Sequence, residues 1–229
     1  MLFKSFGIVT IFLIAWIPAF GQINRDGKGY VFRVTFAPKQ TVRYQVTNRT
    51  VGSQVHTTPT TVNVTCTEIK DGFYNVEVDE QVSDATQDQA DSSSFVEPIY
   101  KKTWVTNRGH SAHKYAFWYT TCPYGPVKLK SFWKGNPPPL AESLGAPASA
   151  GFDYTLTGFE QRNGAKAARI GFKFIQRATT RNPQESSYAG GMLIDNANGQ
   201  ILDLTVTKTE RTFTKKPLVV TYVKRLVRV

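Results

Sequence analysis

The chain has 229 residues, a formal charge of +11, two cysteines and three histidines. That length allows one sizeable β domain or two small ones. The cysteine and histidine counts exclude a disulfide-dense scaffold and a multi-ligand zinc fold, and no apolar stretch reaches the length of a membrane-spanning helix.

Residues 1–21 read as a signal peptide: Lys4 forms a basic start, Ile8 to Trp16 an apolar run, and Ala19-Phe20-Gly21 a small-residue cleavage site. Residues 22–229 are then expected to form a single β-rich domain in the periplasm, the cell envelope or the medium. An uncleaved anchor is the competing reading.

From there the pattern has a period of two. Phe32, Val34 and Phe36 alternate and predict a first strand over Tyr30–Phe36, ended by Pro38. Val42, Tyr44 and Val46 alternate in Thr41–Thr50, and Val62, Val64 and Cys66 in Thr60–Ile69. Lys70-Asp71-Gly72 turns the chain into Phe73–Val82, where Tyr74, Val76 and Val78 alternate. The Thr and Val content suits a pleated surface rather than a helix. Ser83–Ser94 is acidic, without apolar period, and reads as a mobile loop. A strand is expected over Phe95–Thr106, then loop at Asn107–His113 and aromatics at Tyr115–Tyr119. Asn136–Pro147 reads as linker with one short helical turn. Phe152–Gln161 and Ala165–Ala178 form a predicted hairpin across Asn163-Gly164, followed by polar loop at Thr179–Ser187. Met192–Asp195, a turn at Asn196–Gly199 and Gln200–Phe213 form the central hairpin, with Leu202, Leu204 and Val206 facing the core. Leu218–Val229, apolar apart from Lys224, Arg225 and Arg228, closes the chain as a strand held between neighbours.

Charge is unevenly distributed. Asp71 to Glu97 holds eight acidic residues and no basic one, and Lys101 to Lys134 seven basic and no acidic. Such asymmetry suits an anionic surface; internal pairing of the two blocks is the alternative. No basic run interleaved with stacking aromatics marks a nucleic-acid site.

Chemistry is sparse. His110 and His113 lack the further ligands a metal needs, and Asp195-Asn196-Ala197-Asn198-Gly199 fails the calcium-loop spacing. No serine or cysteine sits in a nucleophile setting, no motif asks for a cofactor, and a hydrolase is the third choice of function. Trp104, Tyr115, Trp118, Tyr124 and Trp133 fall in the middle basic block. They are the candidate ligand-binding residues, since aromatics beside Lys and Arg can line a pocket for an apolar or anionic ligand; ordinary β core is the alternative. Cys66 and Cys122 are a candidate disulfide if the protein is exported, against two separate buried thiols.

Val42-Arg43-Tyr44, Asp71-Gly72 before a Val/Tyr strand, Pro126-Val127 leading to Phe132-Trp133, and the spacing Gly191, Asp195, Gly199 together resemble uncharacterised secreted bacterial β-domains. These are similar to the half-barrels of periplasmic lipoprotein carriers, which hold acyl chains in a concave sheet. The resemblance implies an envelope location and carries over no functional residue; the lipid-anchoring cysteine of such families is absent. The expected fold is all-β, an antiparallel open or half-closed barrel of about ten strands, with a two-sheet sandwich as alternative. The expected function is an exported binding or carrier module with an aromatic concavity. The alternative is an envelope protein that binds anionic polymer through a basic face.

Overall fold

The computed structural model describes residues 24–26, 29–51, 59–82, 92–100, 125–138, 140–180, 183–213 and 218–229. A short ladder joins β1 (Asn24–Asp26) to β2 (Gly29–Val31). Ten further strands form one antiparallel sheet: β3 (Thr41–Val51), β4 (Thr60–Lys70), β5 (Phe73–Val82), β6 (Ser92–Tyr100), β7 (Phe132–Gly135), β8 (Phe152–Arg162), β9 (Ala165–Gln176), β10 (Gln184–Asp195), β11 (Ile201–Thr212) and β12 (Leu218–Arg228). Their spatial order is β6-β5-β4-β3-β12-β11-β10-β9-β8-β7.

That order is a ten-stranded up-and-down barrel cut once. Each strand pairs with its sequence neighbours, and β12 closes the ring onto β3. Among the described residues no ladder joins β6 to β7, and residues 101–131 connect those two edges. One face of the sheet is buried in a single apolar cluster, and among the described residues the only other ladder is the short β1–β2 pair. The sheet therefore wraps around its own face, as a half-closed barrel rather than a sandwich.

The alternation read from sequence sets the facing. Val42, Tyr44 and Val46 on β3, Val62, Val64 and Cys66 on β4, and Tyr74, Val76 and Val78 on β5 all point inward and are buried. At the β8–β9 turn, Asn163 and Gly164 take φ of 50° and 79°, values that an Asn-Gly pair adopts at low cost. Gly199 ends the β10–β11 turn at φ 71°.

Four expectations need correction. Residues 32–37 are extended but lie in no ladder of the sheet, although Phe32, Val34 and Phe36 are buried as the alternation implied. They form a strap across the concave face. Tyr30 exchanges hydrogen bonds with Val127 at 2.8 and 2.9 Å, Thr35 N–H donates to the Asn198 carbonyl at 2.8 Å, and Lys39 N–H to the Cys66 carbonyl at 3.0 Å. Period-two burial reports which side of an extended segment is covered, not whether it has strand partners.

Second, the segment read as linker, Asn136–Pro147, sends described residues into the core. Leu140, Ala141, Ala146 and Ala150 are buried around a 3₁₀ turn at Glu142–Leu144. Third, β6 begins at Ser92 and β10 at Gln184, inside segments read as loop. Cross-strand pairing overrides weak local propensity there. Fourth, Leu202 does not share a face with Leu204 and Val206. Met192 pairs with Leu204 and Leu193 with Asp203, but Ile194 pairs with Ile201. A bulge at residue 202 restores the inward facing of Ile201 and turns Leu202 away.

Candidate functional site

The barrel has two unlike ends. One carries the turns at 71–72, 163–164 and 196–199, and the strap crosses it on the inside. Aromatic contacts fasten the strap: Tyr30 on Phe159 (4.7 Å between ring centroids), Phe32 on Trp133 (6.4 Å) and Phe36 on Tyr74 (5.5 Å). Inside, Phe152, Phe172, Phe174 and Tyr188 form an aromatic wall across β8, β9 and β10.

Toward the other end the inward positions turn polar. Lys224 on β12 lies two residues from the core residue Leu226, and Glu80 on β5 follows Val76 and Val78 on the same face. Both are buried, at 7% and 5% exposure. Lys224 Nζ donates to Ser143 Oγ at 3.0 Å, and Ser143 Oγ donates to the Leu140 carbonyl at 2.7 Å. The 3₁₀ turn thus plugs the interior by presenting a hydroxyl to Lys224. Tyr188 OH reaches the Leu144 carbonyl at 3.5 Å, and Tyr154 OH donates to the Asn136 carbonyl at 2.5 Å, which anchors the plug's start. On β11, Lys208 pairs with Glu210 at 2.5 Å and its Nζ lies over the Tyr188 and Tyr222 rings.

Glu80 and Asn48 leave polar atoms unmatched here; Asn48 Oδ1 on β3, level with Lys224, is buried without a hydrogen-bond partner among the described residues. Glu80 Oε1 is likewise buried and has no hydrogen-bond partner among the described residues. Burial pushes its carboxyl up to about 7, with the Lys224 charge opposing the rise. Burial likewise pushes the Tyr188 hydroxyl up to about 12, and the Glu210 charge adds to it. Tyr44 rises through burial too, against the pull of Arg228. A buried carboxyl with its pKa raised and one oxygen unmatched makes Glu80 a candidate binding group.

Of the aromatic residues singled out from sequence, Trp133 lies on β7, half-buried. Its ring stacks on Tyr154 at 5.7 Å and 14° and contacts Phe32, so it serves as wall. Trp104, Tyr115, Trp118 and Tyr124 lie outside the described residues, as do His56, His110 and His113. Cys66 is buried on the inner face of β4 with Sγ 3.7 Å from the Glu68 carbonyl. Cys122, the other half of the expected bridge, lies outside the described residues. Among the described residues no group of His, Cys, Asp and Glu is placed to hold a metal.

The outer face is mixed in charge. Asp203 holds Arg225 at 2.6 Å and Arg162 at 3.3 Å, and Glu160 meets Arg169 at 3.7 Å. A furrow of ≈ 290 Å³ there is lined by these same ion pairs. Glu80 escaped the sequence reading because it was counted in the acidic block, and Lys224 because it was read only as a charged exception in an apolar last strand. Their parity with buried neighbours was the available signal.

No family model matches the chain, and no curated protein matches it. Among solved structures it is similar to an S-type phycobiliprotein lyase from Guillardia theta, at 9% identity and a TM-score of 0.28, with 82% of this chain and 86% of that chain covered. At that score the likeness carries no weight beside the chain's own ladders, which define a half-closed antiparallel β-barrel.

Proposed function

We propose that the protein is an exported carrier of a small amphipathic ligand, held against the concave face of the half-barrel. The observation that carries this reading is Glu80: a buried carboxyl oxygen without a hydrogen-bond partner among the described residues, on the inner face that also carries the aromatic wall, with the Lys224 charge acting on it. Groups of this kind fix a ligand's polar end while an apolar wall takes its body. Export is supported by the basic start, apolar run and small-residue site of residues 1–21.

A bare basic face for anionic polymer is the weaker reading, because arginines of the outer face are matched by Asp203 and Glu160. The test is titration with the neutral dye N-phenyl-1-naphthylamine. Saturable binding at one site per chain, competed by a twelve-carbon alkyl chain, is expected. Absence of saturable binding to the folded protein would overturn the carrier reading.

A further inference from the structure

A cavity of ≈ 270 Å³ opens at the end of the barrel that carries the 163–164 turn. Arg162 at the end of β8 and Arg228 at the end of β12 both line it, together with the apolar side chains of Ala165, Leu202 and Val227. The bulge that turns Leu202 out of the core sets it in this wall. Asp203 joins the two strand ends: it pairs with Val227 across β11–β12 and meets Arg162 at 3.3 Å.

Neither lining arginine is used up by its carboxylate. Asp203 gives its two oxygens to Arg225, at 3.1 and 2.6 Å, and Arg162 reaches it through one nitrogen at 3.3 Å. Asp195 Oδ1 accepts from the Ala197 N–H at 2.8 Å, and its Oδ2 stands 3.5 Å from Arg228, beyond good hydrogen-bond length. A guanidinium presents a planar fork of N–H donors. One long carboxylate contact apiece, among the described residues, leaves most of both forks to the cavity.

Such forks match the planar, two-oxygen edge of a carboxylate, and they bind phosphate by the same chemistry. The apolar wall separates the two. Leu202 and Val227 can be covered by an apolar body attached to the anion, and a bare phosphate has none.

We infer that this cavity binds a small carboxylate with an apolar body, its charge held between Arg162 and Arg228 and its body against Leu202 and Val227. The site is separate from the concave face and stands independently of the carrier reading.

The test titrates the full chain with benzoate, benzamide and inorganic phosphate in a calorimeter. Benzoate should saturate one site per chain, about tenfold tighter than benzamide, which keeps the ring and lacks the charge. Phosphate should bind more weakly than benzoate. Arg162 is half-exposed, so Arg162→Gln should melt with the wild type and weaken benzoate by about tenfold, the worth of its charge-assisted bonds. Arg228→Gln should weaken benzoate similarly. Arg169→Gln removes the same charge beside Glu160, outside the cavity, and should change the affinity less than about twofold, as expected of a screened charge. Benzamide or phosphate binding as tightly as benzoate would overturn the inference. So would an Arg169→Gln loss equal to that of Arg162→Gln, or the absence of saturable benzoate binding.

Discussion

Gly199 lies directly beneath the carbonyl of Arg33: a Cβ built on it would stand 1.7 Å from that oxygen. The β10–β11 turn and the strap are thus in backbone contact, and only glycine fits between them. Gly72, in the β4–β5 turn at φ 93°, has nothing within 4 Å of a built Cβ. Gly199→Ala is expected to cost over about 3 kcal/mol, because backbone must move. Gly72→Ala should cost about 1 kcal/mol, from φ strain alone. Thermal melts of the two variants measure the difference.

The facing of β11 is tested at adjacent positions. Leu204 is fully buried, while Thr205 faces outward opposite Arg225. Leu204→Asp should cost several kcal/mol by burying a charge in the core, about 4 or more. Thr205→Asp should stay within about 0.5 kcal/mol. Chemical denaturation midpoints with unchanged slopes would establish the contrast; the reverse order would mean the register is off by one.

Glu80 gives the protein a pH signature. Burial pushes its carboxyl up to about 7 from the ordinary 4.5, against the pull of the Lys224 charge, so the folded state holds this proton more tightly than the unfolded. The group's stabilising contribution is complete below about 4.5 and is lost as pH rises through about 7. Denaturation of the wild type at pH 5 and pH 8 should show this loss, and Glu80→Gln should remove most of it. An equal slope in both proteins would place the titration elsewhere.

Cys66 and Cys122 are expected to pair after export, closing a long loop and adding about 3–5 kcal/mol in the chain-entropy treatment. Titration of the denatured, unreduced protein should find no thiol; two thiols would reject the bridge.

Strands with one buried face and solvent on the other were legible in the sequence. Val42, Tyr44 and Val46 name the core side of β3, and Asn163-Gly164 names the β8–β9 hairpin, because period and turn chemistry are local properties. The strap was legible only as burial: Phe32 to Phe36 alternate like a strand, yet the backbone partners of Tyr30 and Thr35, Val127 and Asn198, stand far away in the chain. The plug was lost to its composition. Prolines and small residues suggest a linker, and nothing local tells that Leu140 and Ala141 enter a core. The bulge at Leu202 leaves no mark in an alternating run. The polar contact was hidden for the same reason as the strap, since Lys224 and Ser143 are far apart in the chain and meet only in the folded barrel.

The central claim is that a ligand lies against the concave inner face of the half-barrel. Photo-crosslinking with a diazirine-bearing twelve-carbon alcohol, followed by peptide mapping, tests it most directly. Labels are expected on inward residues of the aromatic wall and the plug, such as Phe172, Phe174, Tyr188 and Leu144, and should be competed away by 1-dodecanol. Labelling confined to the outer face, around Asp203 and Arg225, would contradict the account.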